Sequence, residues 1–263
     1  MPAGLKEYDE HGNELVWKLK KSLYGLKQAP REWWSKISQW LIEYGFEQSA
    51  IDAGVYTYTK NGVYCILGLY VDDILGGSTS PEFMERFYEA LSAKWELTRK
   101  PDDEINSILG MEMDIGKTGE ILLHQNKYIQ DALKTFGLED CVPKETPMDS
   151  DFDISAHDSP ATAGEKASMA KEQETYQSMI GALLWISRCC HPEIAAAVTI
   201  LCRYTHNPSL RHIVAAKRVF QYLKHAQNKG LMFRKQRKAD GQLHAYVDAN
   251  WAGDLDTRHS TSG

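Results

Sequence analysis

The chain has 263 residues, a formal net charge of −6 at pH 7 and a pI near 5.9, with 43% hydrophobic and 25% charged residues. That is the balance of a soluble globular protein with length for one large domain or two ordinary ones and a sizeable core. No stretch nears the roughly 18 uninterrupted apolar residues of a membrane span, and the N-terminus lacks the basic-then-apolar order of a signal peptide. Intracellular residence, in cytoplasm or nucleus, and no membrane partner are expected.

In chain order, the first feature is a basic cluster of Lys18, Lys20, Lys21, Lys27 and Arg31 interleaved with Trp17, Tyr24, Trp33 and Trp34. Cations neutralise phosphates and aromatic faces stack on bases, although a solvated helix face gives the same pattern. Pro30 then precedes apolar residues at helical spacing as far as Tyr44, where Gly45 breaks the run. Trp33, Trp34 and Trp40 are read as packing residues of that helix. Residues 55–59 and 63–67 flank Asn61-Gly62, the strongest short signal for a tight hairpin. Asp72 and Asp73 are expected to turn the second strand into a third, 74–77, giving a three-stranded antiparallel sheet with both acids at one end. Such a pair on a rigid hairpin tip can hold a hard divalent cation against a polyphosphate. Asp is equally common in solvated turns, so this segment alone leaves both readings open.

Ser80-Pro81-Glu82 supplies an N-cap, a first-turn proline and an early acid, and predicts a helix to about Leu97. A helix laid on the sheet gives α+β layering. A second hairpin is expected from 108–113 and 120–123 around Lys117-Thr118-Gly119, then a helix over 126–136 ended by Gly137. Residues 143–165, rich in Pro, Asp, Ser and Ala without periodicity, predict a long exposed connector. Helical patterns follow over 172–189, 192–205 and 209–225, and strand-like runs over 230–234 and 243–247. Cys65, Cys141, Cys189, Cys190 and Cys202 form no C-x-x-C pair, which argues against zinc and disulfides. His191-Pro192-Glu193 reads as a helix start, and His124, His206, His212 and His225 share no metal-site spacing. Acids outnumber bases over 102–174, whereas 211–238 carries Arg and Lys with no acid, so the mean charge hides a dipole.

Ser22-Leu23-Tyr24-Gly25-Leu26-Lys27-Gln28-Ala29-Pro30-Arg31, followed by Tyr70-Val71-Asp72-Asp73, resembles the reverse transcriptase of copia-type LTR retrotransposons. Leu109-Gly110-Met111-Glu112-Met113 is similar to that family's primer-grip strand, and Thr146-Pro147-Met148 to the signature after it. Residues 176–185, from Tyr176 to Trp185, look like its thumb helix. Tyr246-Val247-Asp248-Ala249-Asn250-Trp251-Ala252-Gly253-Asp254, with Arg258 to Gly263, is similar to the opening of its ribonuclease H domain.

The resemblance implies an α+β fold: an antiparallel palm-like sheet with packed helices, a helical thumb and an incomplete ribonuclease H-like strand segment. The corresponding domains are 1–116 (palm remnant), 117–228 (thumb-like, with the connector 143–165) and 229–263. It implies Asp72 and Asp73 as catalytic metal ligands for Mg²⁺ or Mn²⁺, with Asp248 as the first metal acid of the ribonuclease H-like part. Tyr70 would face the primer end, and Gln28, Ala29 and Pro30 would lie beside the template base and incoming nucleotide. Lys27, Arg31, Lys217, Arg218 and Lys224 are the candidate nucleic-acid contacts, and the implied partners are a primer-template and a dNTP.

Departures from the family pattern bear on activity. Its first catalytic Asp belongs to a Met-Asp-Val-x-x-Ala-Phe-Leu motif that this chain lacks, and Met1-Pro2-Ala3-Gly4 resembles the stretch shortly after it, so Met1 reads as an internal methionine. Asp9 and Glu10 sit in a polar segment without strand pattern and do not fill the gap. Asn250 stands where the family usually has an acid. Weak or absent polymerase activity is therefore expected, and the rival readings are a non-catalytic nucleic-acid-binding module and a decayed gene product.

Overall fold

A computed structural model describes residues 7–16, 18–23, 25–101, 105–149, 153–234 and 245–262. Met1-Pro2-Ala3-Gly4, Trp17, Tyr24, Lys235, Arg237, Lys238, Gly263 and the first two residues of the 243–247 run lie outside them. The chain divides into two compact units, Met1–Arg99 and Lys100–Gly263.

The first unit is one antiparallel sheet with helices on a single face. Its elements are α1 (Ala29–Tyr44), β1 (Glu47–Gln48), β2 (Val55–Lys60), β3 (Val63–Tyr70), β4 (Asp73–Ser78) and α2 (Pro81–Ser92). Strand order is β1-β2-β3-β4, so the three expected strands gain a short fourth at the β2 edge. Asn61 and Gly62 both take positive φ, 54° and 76°, as a tight two-residue hairpin turn requires. Along β3 the side chains alternate: Cys65, Leu67 and Leu69 are buried, while Tyr64, Ile66 and Tyr70 face out. The buried face packs on Ile37 and Leu41 of α1 and Phe83, Phe87 and Leu91 of α2, each such side chain contributing about 1.5–3 kcal/mol by leaving water. Gly76 of β4 fits because it has no side chain; a Cβ there would lie 2.8 Å from the Ile66 carbonyl oxygen and 2.2 Å from the Leu67 side chain.

Helix α2 ends at Ser92, short of the expected Leu97. The chain turns at Ala93 and brings Trp95 edge-on to both Trp33 and Trp40, with ring centroids 5.5 Å apart in each pair. Aromatic packing thus ends a helix that local propensity would continue.

The second unit has a sheet of β5 (Ser107–Ile108), β6 (Met111–Ile115), β7 (Ile121–His124) and β8 (Leu231–Phe233), antiparallel in that order. The 108–113 run is split because Leu109 and Gly110 both take positive φ, 51° and 75°. The 230–234 run forms β8 and pairs with β7, so a strand from the third expected segment lies in the sheet of the 108–123 hairpin. Gly230 permits this, since a Cβ there would fall 2.1 Å from the Leu123 carbonyl oxygen.

Around this sheet lie α3 (Asn126–Thr135), α4 (Ala163–Ser168), α5 (Ala170–Cys189), α6 (Ala195–Cys202) and α7 (Leu210–Ala226). The expected helix over 192–205 is a 3₁₀ turn, Pro192–Ile194, followed by the shorter α6. Ile129, Tyr176, Leu183, Leu201, Phe220 and Leu223 lie at the centre of the helical core, and the Tyr176 hydroxyl donates to the Leu201 carbonyl at 2.8 Å.

The connector is not freely exposed. Ile154 is buried in the core and Met148 packs against it, a 3₁₀ turn forms at Ala156–Asp158, and α4 begins within it. Beyond β8, β9 (Ala249–Asn250) pairs with β10 (Thr261–Ser262). Residues 245–247 are not a strand, and Tyr246 is 97% exposed. Every described element is accounted for by a mixed α/β fold of antiparallel sheets and helices.

Candidate active site

Register places the two acids. Tyr70 pairs directly with Asp73, so Val71 and Asp72 form a two-residue turn and Asp73 begins β4. Directly paired residues share a sheet face, which sets Asp73 beside Tyr70 on the face opposite the helices. Tyr70 is 60% exposed, and Asp72 and Asp73 are exposed as well. Val71 has a φ of 51°, which is unfavourable for a β-branched residue.

The turn is tied to α1. The Trp33 indole N–H donates to the Val71 carbonyl at 2.5 Å, and Trp33 lies in the opening of a helix that starts at Ala29 with Gln28 as its cap. Gln28, Ala29 and Pro30 lie at the start of the same helix, and Lys27, Gln28, Pro30 and Arg31 are all exposed. The sequence suggests packing or base stacking for Trp33; nothing in residue order reveals where an indole N–H points.

The other candidates are in different settings. Lys217 is exposed on α7. Arg218 contacts Asp149 and Thr146, each at 3.0 Å, and Lys224 donates to the carbonyls of Glu139 and Cys141. Asp248 is exposed, and its carboxylate accepts the Ala249 N–H at 2.7 Å. Among the described residues no group of three or more His, Cys, Asp or Glu side chains converges to hold a metal ion.

Two polar assemblies had no sequence signal. His124, nearly buried on β7, lies 3.4 Å from Glu112 and 3.2 Å from Asp114 across the strand pair. Asp254 pairs with Arg203 at 2.6 Å, while Asp256 accepts from the Tyr204 hydroxyl at 3.0 Å and the Ala156 N–H at 2.8 Å. None of the described helices is long and apolar enough to cross a membrane.

Residues 1–150 match a family described as reverse transcriptase (RNA-dependent DNA polymerase). The chain is 34% identical over 95% of its length to the Retrovirus-related Pol polyprotein from transposon TNT 1-94 of Nicotiana tabacum, covering 18% of that protein. It is 32% identical over 97% of its length to the corresponding polyprotein from transposon RE1 of Arabidopsis thaliana, covering 16%. It therefore spans under a fifth of these two relatives. A Saccharomyces cerevisiae protein of transposon Ty5-1 is 28% identical over 97% of this chain and 79% of its own length. No solved structure matches the chain. Motifs, matched span and relatives agree: the chain belongs to the reverse transcriptase family of copia-type retrotransposon Pol polyproteins.

Proposed function

We propose that the Val71-Asp72 turn and the start of α1 form the metal and nucleotide side of a nucleotidyl-transfer centre for RNA-directed DNA synthesis. On this reading 1–116 serves as palm, 117–228 as thumb and 229–263 as the opening of a ribonuclease H-like part. The carrying observation is the Tyr70–Asp73 pair, which sets two exposed carboxylates at a sheet end tied to α1. Carboxylate oxygens are hard donors suited to Mg²⁺ or Mn²⁺. When bound, such an ion supplies charge neutralisation for phosphate oxygens.

The protein's own groups divide the remaining work. Asp72 and Asp73 hold the cation, Lys27 and Arg31 offset polyphosphate charge, and Tyr70 offers an aromatic face to the primer end. Gln28 supplies an amide donor and acceptor next to the template base. Among the described residues no third His, Cys, Asp or Glu joins Asp72 and Asp73; two carboxylates provide ligands for one shared cation rather than a complete two-metal set, which supports weak or absent primer extension. The same observation favours the second reading, a module that binds a primer-template without chemistry.

Mn²⁺ titration followed by paramagnetic broadening tests the site. Broadening is expected at 70–74 and its loss in the Asp72→Asn, Asp73→Asn double variant; broadening unaffected by that variant overturns the assignment. Primer extension with Mg²⁺ or Mn²⁺ is expected to be slight. Robust extension abolished by Asp72→Asn would overturn the weak-activity reading.

A further inference from the structure

The acidic turn has no glycine. Val71 is held at a φ of 51°, a conformation that β-branched residues avoid, so a two-residue loop of Val and Asp would relax unless something outside it fixed the backbone. The side chain placed to do so is Trp33, whose indole N–H reaches the Val71 carbonyl at 2.5 Å across 38 positions of sequence. The donor is itself held. Trp33 packs edge-on to Trp95 at 84°, and Trp95 packs edge-on to Trp40 at 88°. A hydrogen-bond donor anchored in a rigid aromatic cluster holds its acceptor in one place.

We infer that Trp33 is a positioning residue: its indole fixes the Val71 carbonyl, and with it the backbone of the turn that presents Asp72 and Asp73 at the sheet end. The inference rests on the proposed nucleotidyl-transfer site for its functional meaning, but the geometry it asserts is independent of any metal. Trp33 contacts neither nucleotide nor cation on this account and acts only through Val71. A purely packing role predicts that any aromatic ring of adequate size would serve.

The full chain allows a direct test. In the unmodified protein the Trp33 Nε1 proton is expected to be protected from exchange with solvent, and exchange as fast as that of an exposed indole overturns the inference without a variant. Trp33→Phe keeps an aromatic ring against Trp95 and removes the donor. Amide exchange at 71–74 is then expected to rise about three- to tenfold, the equivalent of one net hydrogen bond, with 65–67 unchanged. Mn²⁺ broadening of 70–74 is expected to need a correspondingly higher metal concentration. Unchanged exchange at 71–74, or an equal rise at 65–67, overturns the positioning role. Mn²⁺ broadening that survives loss of both aspartates defeats the nucleotidyl-transfer reading instead, and the exchange comparison still decides the role of Trp33.

Discussion

Arg218 bridges Asp149 and Thr146, reaching each at 3.0 Å. This is one rung of a series along α7. Lys224 holds the carbonyls of Glu139 and Cys141, the Gln221 carbonyl accepts the Lys144 N–H, and Arg211 reaches Asp158 and the Asp153 carbonyl. The connector therefore runs antiparallel to α7, fastened by cations that the sequence suggested for phosphate.

Arg218→Ala is expected to cost about 1 kcal/mol, since a partly exposed ion pair and one hydrogen bond are lost. Amide exchange should rise over 143–149. Lys217→Glu should leave stability nearly unchanged and weaken primer-template binding at all sequences, lowering the salt slope by about one. Equal effects of the two variants on stability, read from denaturant midpoints, would contradict this division.

Gly76→Ala should destabilise the first unit by about 1–3 kcal/mol, because the added methyl meets the Ile66 carbonyl and Leu67. Gly77, across from Ile66 on the open face, has open space where a Cβ would sit, with nothing within 4 Å, so Gly77→Ala should be tolerated much better. Chemical denaturation of both variants checks the contrast.

Tyr204→Phe removes a hydroxyl that lies 3.1 Å from the Ile154 carbonyl and 3.0 Å from Asp256. Burial, with help from Asp256, pushes that phenol up to about 12. The expected loss is about 1–3 kcal/mol, because a buried acceptor is left without its partner. Exchange at Asp256 and Thr257, whose N–H groups bond Asp254 at 2.8 and 3.0 Å, should quicken toward that of the exposed 245–247.

Stability should also fall with mild acid. His212 is fully buried, stacks on Tyr204 at 4.1 Å and accepts the Ser209 N–H at its Nδ1. Burial holds its imidazole below the usual range, with Arg211 acting the same way and Asp158 and Asp256 opposing. A depressed folded value means the stabilisation is complete above the unfolded value of about 6.5 and is lost as pH falls through the folded one. Denaturant midpoints between about pH 7 and pH 5 should decline for that reason, and His212→Asn should flatten the decline. An unaltered slope in that variant would assign the effect elsewhere.

Local rules in the residue order determined the hairpin at Asn61-Gly62, the cap at Ser80, the stop at Gly45 and the alternation of β3, because each depends on neighbours within a few positions. The Tyr70-Val71-Asp72-Asp73 motif and its companions likewise carried the family. Tertiary structure decided what depends on distant partners. Trp95 turning back to Trp33 and Trp40 ended α2 early, and β8 found its place beside β7. The cations of α7 took up the connector, and the Trp33 indole found the Val71 carbonyl. Periodicity records which faces are apolar; it does not record where a long side chain's donor meets a backbone acceptor brought near only by folding.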